Sequence, residues 1–88
     1  MSYRVHYRDL ARHLSSLTLH ATCADLYGRL MAYEGTDTEY RQRLATAVQA
    51  CGMDASWLDG LYRLCDALRE DNPRFVPAIF MEWCLDEI

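Results

Sequence analysis

The chain has 88 residues, 51% of them hydrophobic, with thirteen acidic residues against nine arginines and no lysine, for a formal net charge of −4. That size bounds it to a single domain over residues 1–88 with a modest core, since small domains bury proportionally less of their surface. No apolar run approaches the roughly 18 residues that a membrane span needs, and Met1-Ser2-Tyr3-Arg4-Val5-His6 lacks the apolar centre of a signal peptide, so a cytoplasmic location is expected.

Along the chain, Tyr7, Leu10, Ala11 and Leu14 recur at helical spacing and predict a first helix. Residues 15–22 admit three readings: continuation of that helix, a break capped by Ser16 or Thr18, or a short strand from the alternation Leu17-Thr18-Leu19-His20. A separate second helix from about Leu19 is favoured, carrying the stripe Cys23, Leu26, Tyr27, Leu30 and Met31 and stopping near Gly35. Thr36-Asp37-Thr38-Glu39 then reads as a capping box, followed by Tyr40, Leu44, Ala47, Val48 and Cys51, with Gly52 as the left-handed stop.

A fourth helix starts at Asp54 or Ser56, buries Trp57, Leu58, Leu61, Cys65 and Leu68, and ends near Glu70. Gly60 inside it lowers helix propensity by up to about 1 kcal/mol against alanine, which implies dependence on packing or a close approach there. Asn72-Pro73 is a turn. Pro77 suits the first position of a last helix, where a missing N–H loses no intrahelical bond. Val76 is then a poor N-cap, and Phe75 with Phe80 takes the two positions of a hydrophobic staple. The resulting expectation is an all-α fold, a compact bundle of four or five short antiparallel helices.

Chemistry-bearing patterns are sparse. There is no glycine-rich phosphate loop, no G-x-S-x-G and no H-E-x-x-H, and no spacing selects a Cys–His pair. Cys23, Cys51, Cys65 and Cys84 form no C-x-x-C pair and sit among apolar residues, which reads as reduced core cysteine. His6, His13 and His20 recur every seven residues, roughly 10.5 Å apart along a continuous helix, too far for one zinc. Catalytic residues, metal ligands and cofactor are therefore all expected to be none, and the chain is read as not an enzyme.

Two surfaces stand out as partner-binding candidates. Arg4, Arg8 and Arg12 line one helical ridge with Tyr7 beside them, the composition of protein interfaces and also of single-strand nucleic-acid platforms. At the other end, Trp83, Glu82, Asp86 and Glu87 give an acidic terminus able to engage a basic groove. Charge is unequal between them: residues 1–44 sum to +1 and residues 45–88 to −5. The helical pair around Gly52 has the outline of a helix-turn-helix, but its second helix carries Asp59 and Asp66 with Arg63 and Arg69, and a neutral or acidic reading helix forfeits phosphate contacts.

The segment Asp71-Asn72-Pro73-Arg74-Phe75, followed by Phe80 and Trp83-Cys84, resembles the endings of small helical proteins of bacteriophages and integrated mobile elements, whose pattern reads D-N-P-R-F-D before a basic helix. Here Val76 replaces the capping acid, Pro77 enters the helix start, and the basic residues are lost. The resemblance spans about fifteen residues and transfers no active site; it implies a setting in which tiny proteins bind and block larger ones. The expected function is a non-enzymatic module that inhibits or regulates a protein partner, such as an antiactivator or an anti-CRISPR-like inhibitor, the partner itself being a basic nucleic-acid-binding or regulatory protein. Alternatives are a small DNA-binding regulator and a homo-oligomeric structural or chaperone-like subunit, including a homodimer. Direct nucleic-acid binding is the less favoured of these, and no membrane partner is expected.

Overall fold

The computed structural model describes residues 7–15, 21–35 and 37–85. Five helices follow in order: α1 Tyr7–Leu14, α2 Cys23–Ala32, α3 Thr38–Gln49, α4 Trp57–Asp71 and α5 Pro77–Leu85. No strand occurs among the described residues, the sole β-type pairing being an isolated antiparallel bridge between Thr22 and Ser56. The molecule is an all-α bundle. None of the described helices is long and apolar enough to cross a membrane.

Helices α2, α3 and α4 start where a side chain takes up an orphan N–H. Thr22 caps α2 in a full capping box: its hydroxyl accepts from the Asp25 amide at 3.4 Å, and the Asp25 carboxylate accepts from the Thr22 amide at 2.8 Å. Asp37 caps α3 by accepting from the Tyr40 amide at 2.8 Å, and Ser56 caps α4 by accepting from the Asp59 amide at 3.4 Å. Gly52 has φ of +92°, the left-handed geometry that turns the chain after α3. Pro77 opens α5, and the Val76 carbonyl accepts from the amides of Ile79 and Phe80, both at 3.2 Å.

Packing divides the bundle into two parts. Helices α2, α3 and α4 pack on one another, while α1 packs chiefly against α5, and this pair joins the rest where α5 meets α4 and α1 meets α2. Leu26 and Leu30 of α2, Leu44 and Val48 of α3, and Leu61, Leu64 and Leu68 of α4 are fully or almost fully buried, as are Leu10 and Leu14 of α1 and Phe80 and Cys84 of α5. Gly60 lets α4 approach α2 closely: a Cβ there would lie 2.7 Å from Cys23 Sγ and 3.0 Å from Leu26 Cδ2. The close approach expected at Gly60 is thus present.

Several sequence expectations need correction. Helix α2 begins at Cys23, not near Leu19, because the capping box belongs to Thr22 and Asp25; Leu17 to His20 lie outside the described residues. The α3 cap is Asp37 rather than Thr36: the Asp37 carboxylate accepts from the N3 amide of Tyr40. Leu58 is 41% exposed, since Trp57, Gly60, Leu61, Leu64 and Leu68 occupy the inward face of α4 and Leu58 falls off it.

Candidate interaction surface

The two predicted partner-binding regions meet. With α1 packed on α5, the guanidinium of Arg8 lies over the Trp83 ring, 5.8 Å from its centroid, a cation–π contact between groups 75 positions apart in sequence. Tyr7, one residue earlier, stands edge-on to Phe75 with ring centroids 5.0 Å apart, and Phe75 in turn contacts Phe80 at 5.4 Å. The staple expected between Phe75 and Phe80 is therefore extended by a third ring from α1.

The turn before α5 is held by Asn72. Its side-chain amide donates to the Tyr7 hydroxyl at 3.1 Å, its side-chain carbonyl accepts from the Arg74 amide at 3.1 Å, and its backbone carbonyl accepts from the Phe75 amide at 2.9 Å. Asparagine suits this place because its side chain offers both a donor and an acceptor, one for each neighbour. The segment linking α4 to α5 is thereby fixed against α1 rather than left as a free loop.

Next to these contacts lies an open cleft of about 180 Å³ lined by Tyr7, Arg74, Phe75, Val76, Ile79 and Trp83. Phe75 is buried and forms its floor, whereas Val76 and Ile79 are about half exposed, at 49% and 48%. Residues 76, 79 and 83 follow the helical spacing of one stripe, and Phe80 and Cys84, on the adjoining stripe, are buried in the core. Helix α5 is apolar nearly all round, with Glu82 its one charged residue, and the bundle covers only one of its faces. Two larger grooves exist but are less suited to an apolar ligand. That between α3 and α4 is bridged by the Arg43–Asp71 ion pair at 3.2 Å, and that between α1 and α2 is lined by His13, Asp25 and Arg29.

Of the residues predicted for partner binding, Tyr7, Arg8 and Trp83 converge here. Arg12 does not line the cleft; it is exposed and lies 3.7 Å from Asp9, a surface pair of small energetic value. Glu82 is exposed on α5, also away from the lining. Arg4, Asp86 and Glu87 lie outside the described residues. Asn72, Arg74, Val76 and Ile79 were not predicted, although an α5 apolar on every face was a readable sign that part of it would remain uncovered.

Other candidates sort by burial. Tyr40 is buried on the inward face of α3, whereas Tyr62 is 53% exposed on α4. His13 serves as a strut: its Nε2–H donates to the Arg29 carbonyl at 2.9 Å, and Arg29 returns a bond to the Ser15 carbonyl at 2.9 Å. His6 and His20 lie outside the described residues. Among the described residues no group of three or more His, Cys, Asp or Glu is placed to hold a metal ion. The four cysteines are free thiols; Cys23, Cys65 and Cys84 are buried, but Cys51 is only half-buried, short of the core position expected for it.

The exposed face of α4 carries Asp59, Asp66 and Glu70 with Arg63 and Arg69, more carboxylates than guanidiniums. Comparison of the chain with family models, with curated proteins and with solved structures finds no match in any of the three.

Proposed function

We propose that the protein is a non-enzymatic helical binding module that attaches to a larger protein through the α1–α5 face and inhibits or regulates it. The observation that carries this reading is the half-exposed pair Val76 and Ile79 with the partly buried Trp83 beside them, lining a cleft together with Arg74, and with the guanidinium of Arg8 over the Trp83 ring. Protein interfaces are enriched in Trp, Tyr and Arg and place apolar anchors at the centre of a polar rim. The occupant is an apolar or aromatic side chain of the partner entering the cleft.

Around it, Glu82 and the acidic face of α4 favour a partner with a basic surface, a nucleic-acid-binding or regulatory protein, over nucleic acid itself. Phosphate contacts supply much of DNA affinity, and the α4 face opposes them. The resemblance of the Asp71–Phe75 segment to small phage and mobile-element proteins supports an inhibitor or antiactivator role within a cell's cytoplasm.

The test is affinity capture from native lysate with the unmodified protein and with Ile79→Asp, a change at an exposed position that leaves the core intact. A stoichiometric partner captured by the first and lost by the second, with unchanged helical circular dichroism, supports the reading. Retention of the partner by Ile79→Asp moves the interface elsewhere. A stable homodimer by light scattering, dissociated by Ile79→Asp, with no other protein captured, replaces the reading with self-association.

A further inference from the structure

The junction where α2 begins and α3 ends holds an unusual pair of side chains. Cys23 Sγ and Cys51 Sγ lie 2.6 Å apart although the residues are 28 positions apart in sequence. Non-bonded heavy atoms ordinarily settle at about 3.5–4.0 Å, whereas a disulfide bond is about 2.04 Å. The two sulfurs are thus nearer to bonding distance than to ordinary packing. We propose that Cys23 and Cys51 form a redox-modified site, closing to an intramolecular disulfide on exchange with a small-molecule disulfide of the glutathione class and reopening with excess thiol.

The two cysteines differ in the ways this exchange requires. Cys51 follows α3, directly before the positive-φ Gly52, and is half-buried, so a small reagent reaches its sulfur from solvent. Cys23 is the first residue of α2 and is fully enclosed, its thiol also donating to the Ser56 carbonyl at 3.3 Å. Burial foremost, and then the hydrogen bond with Cys51, pushes the Cys23 thiol up to about 12, which keeps it protonated and disfavours it as the first nucleophile. Cys51 is therefore the attacking thiol and Cys23 the resolving one.

In the first step the Cys51 thiolate attacks one sulfur of the glutathione disulfide. That S–S bond breaks, a Cys51–glutathione mixed disulfide forms, and the departing glutathione thiolate takes up the proton Cys51 lost. In the second step the Cys23 sulfur attacks Cys51 Sγ, its proton passing to the second glutathione thiolate as it leaves. Two protein thiols are oxidised to one disulfide, and one glutathione disulfide is reduced to two thiols.

Cys65 and Cys84 do not compete, because both are enclosed in the core. The new bond would tie together a junction otherwise held by two backbone hydrogen bonds, Cys23 N–H to the Ala55 carbonyl at 2.9 Å and Trp57 N–H to the Ala21 carbonyl at 3.1 Å.

The experiment equilibrates the folded full chain with oxidised glutathione and maps disulfides by non-reducing digestion and mass spectrometry. The expected result is loss of the mass of two hydrogens, one cross-linked Cys23–Cys51 peptide, reversal by dithiothreitol, and a Tm higher by on the order of 10 °C than the reduced protein. Cys51→Ser abolishes the cross-link, and Cys84→Ser, at an enclosed cysteine, leaves it. A Cys51 adduct that never resolves, a Cys23–Cys51 link that appears only in denaturant, or pairings spread among all four cysteines would each overturn the proposal.

Discussion

Three thiols, those of Cys23, Cys65 and Cys84, are enclosed by the fold, and burial is the main reason each is held up to about 12 against an ordinary value of 9.0. In the unfolded chain the same thiols ionise near their ordinary value, so above pH 9 the unfolded state binds fewer protons than the folded one. Stability is fully present below pH 9 and falls as pH rises towards 12, by about 1.4 kcal/mol per pH unit for each thiol. The Tyr33 phenol, also raised by burial, acts in the same sense above its ordinary value of 10.0. Urea unfolding at a series of alkaline pH values measures the slope; Cys65→Ala should lower it by one thiol's share while costing some core packing at every pH. Stability that is flat across this range would show that these thiols are solvated in the native state.

Among the elements, glycine separates the helices by what surrounds it. Gly60 sits against Cys23 and Leu26 with no room for a methyl group, whereas Gly28 on α2 has nothing within 4 Å of where one would go. Gly28→Ala should therefore stabilise by about 0.5–1 kcal/mol through helix propensity, and Gly60→Ala should destabilise by roughly 1–3 kcal/mol despite the same propensity gain, because α4 must move off α2. Paired thermal melts check both signs. The helices themselves were legible because local signals specify them: Ser56, Gly52 and Pro77 mark ends by their own chemistry. Where two local signals competed, position slipped, as between Thr36 and Asp37, or between the alternating Leu17 to His20 segment and the Thr22 cap. Leu58 was misplaced because periodicity gives a stripe but not which of two adjacent residues the neighbouring helix covers. The candidate surface was legible in half: Tyr7, Arg8 and Trp83 were chosen by type, but that they share one face depends on α1 meeting α5, which no local pattern encodes.

For the whole molecule, the division into an α2–α3–α4 cluster and an α1–α5 pair has a consequence for how it opens. Tyr7 links the pair through its ring contact with Phe75 and the bond from Asn72, so loosening one helix of the pair loosens the other. Tyr7→Ala should raise amide hydrogen exchange across both α1 and α5 while leaving the amides of α3 protected, since α3 makes its helix contacts with α2 and α4. Equal acceleration in all five helices would mean the bundle opens as one unit.

The pairing of Arg8 with Trp83 also bears on the order of events during synthesis. One wall of the cleft is made early on the ribosome and the other only once the chain has reached α5, so an incomplete chain cannot display it. The cleft thereby requires both α1 and α5: loss of α5 removes it while α2, α3 and α4 keep their contacts with one another.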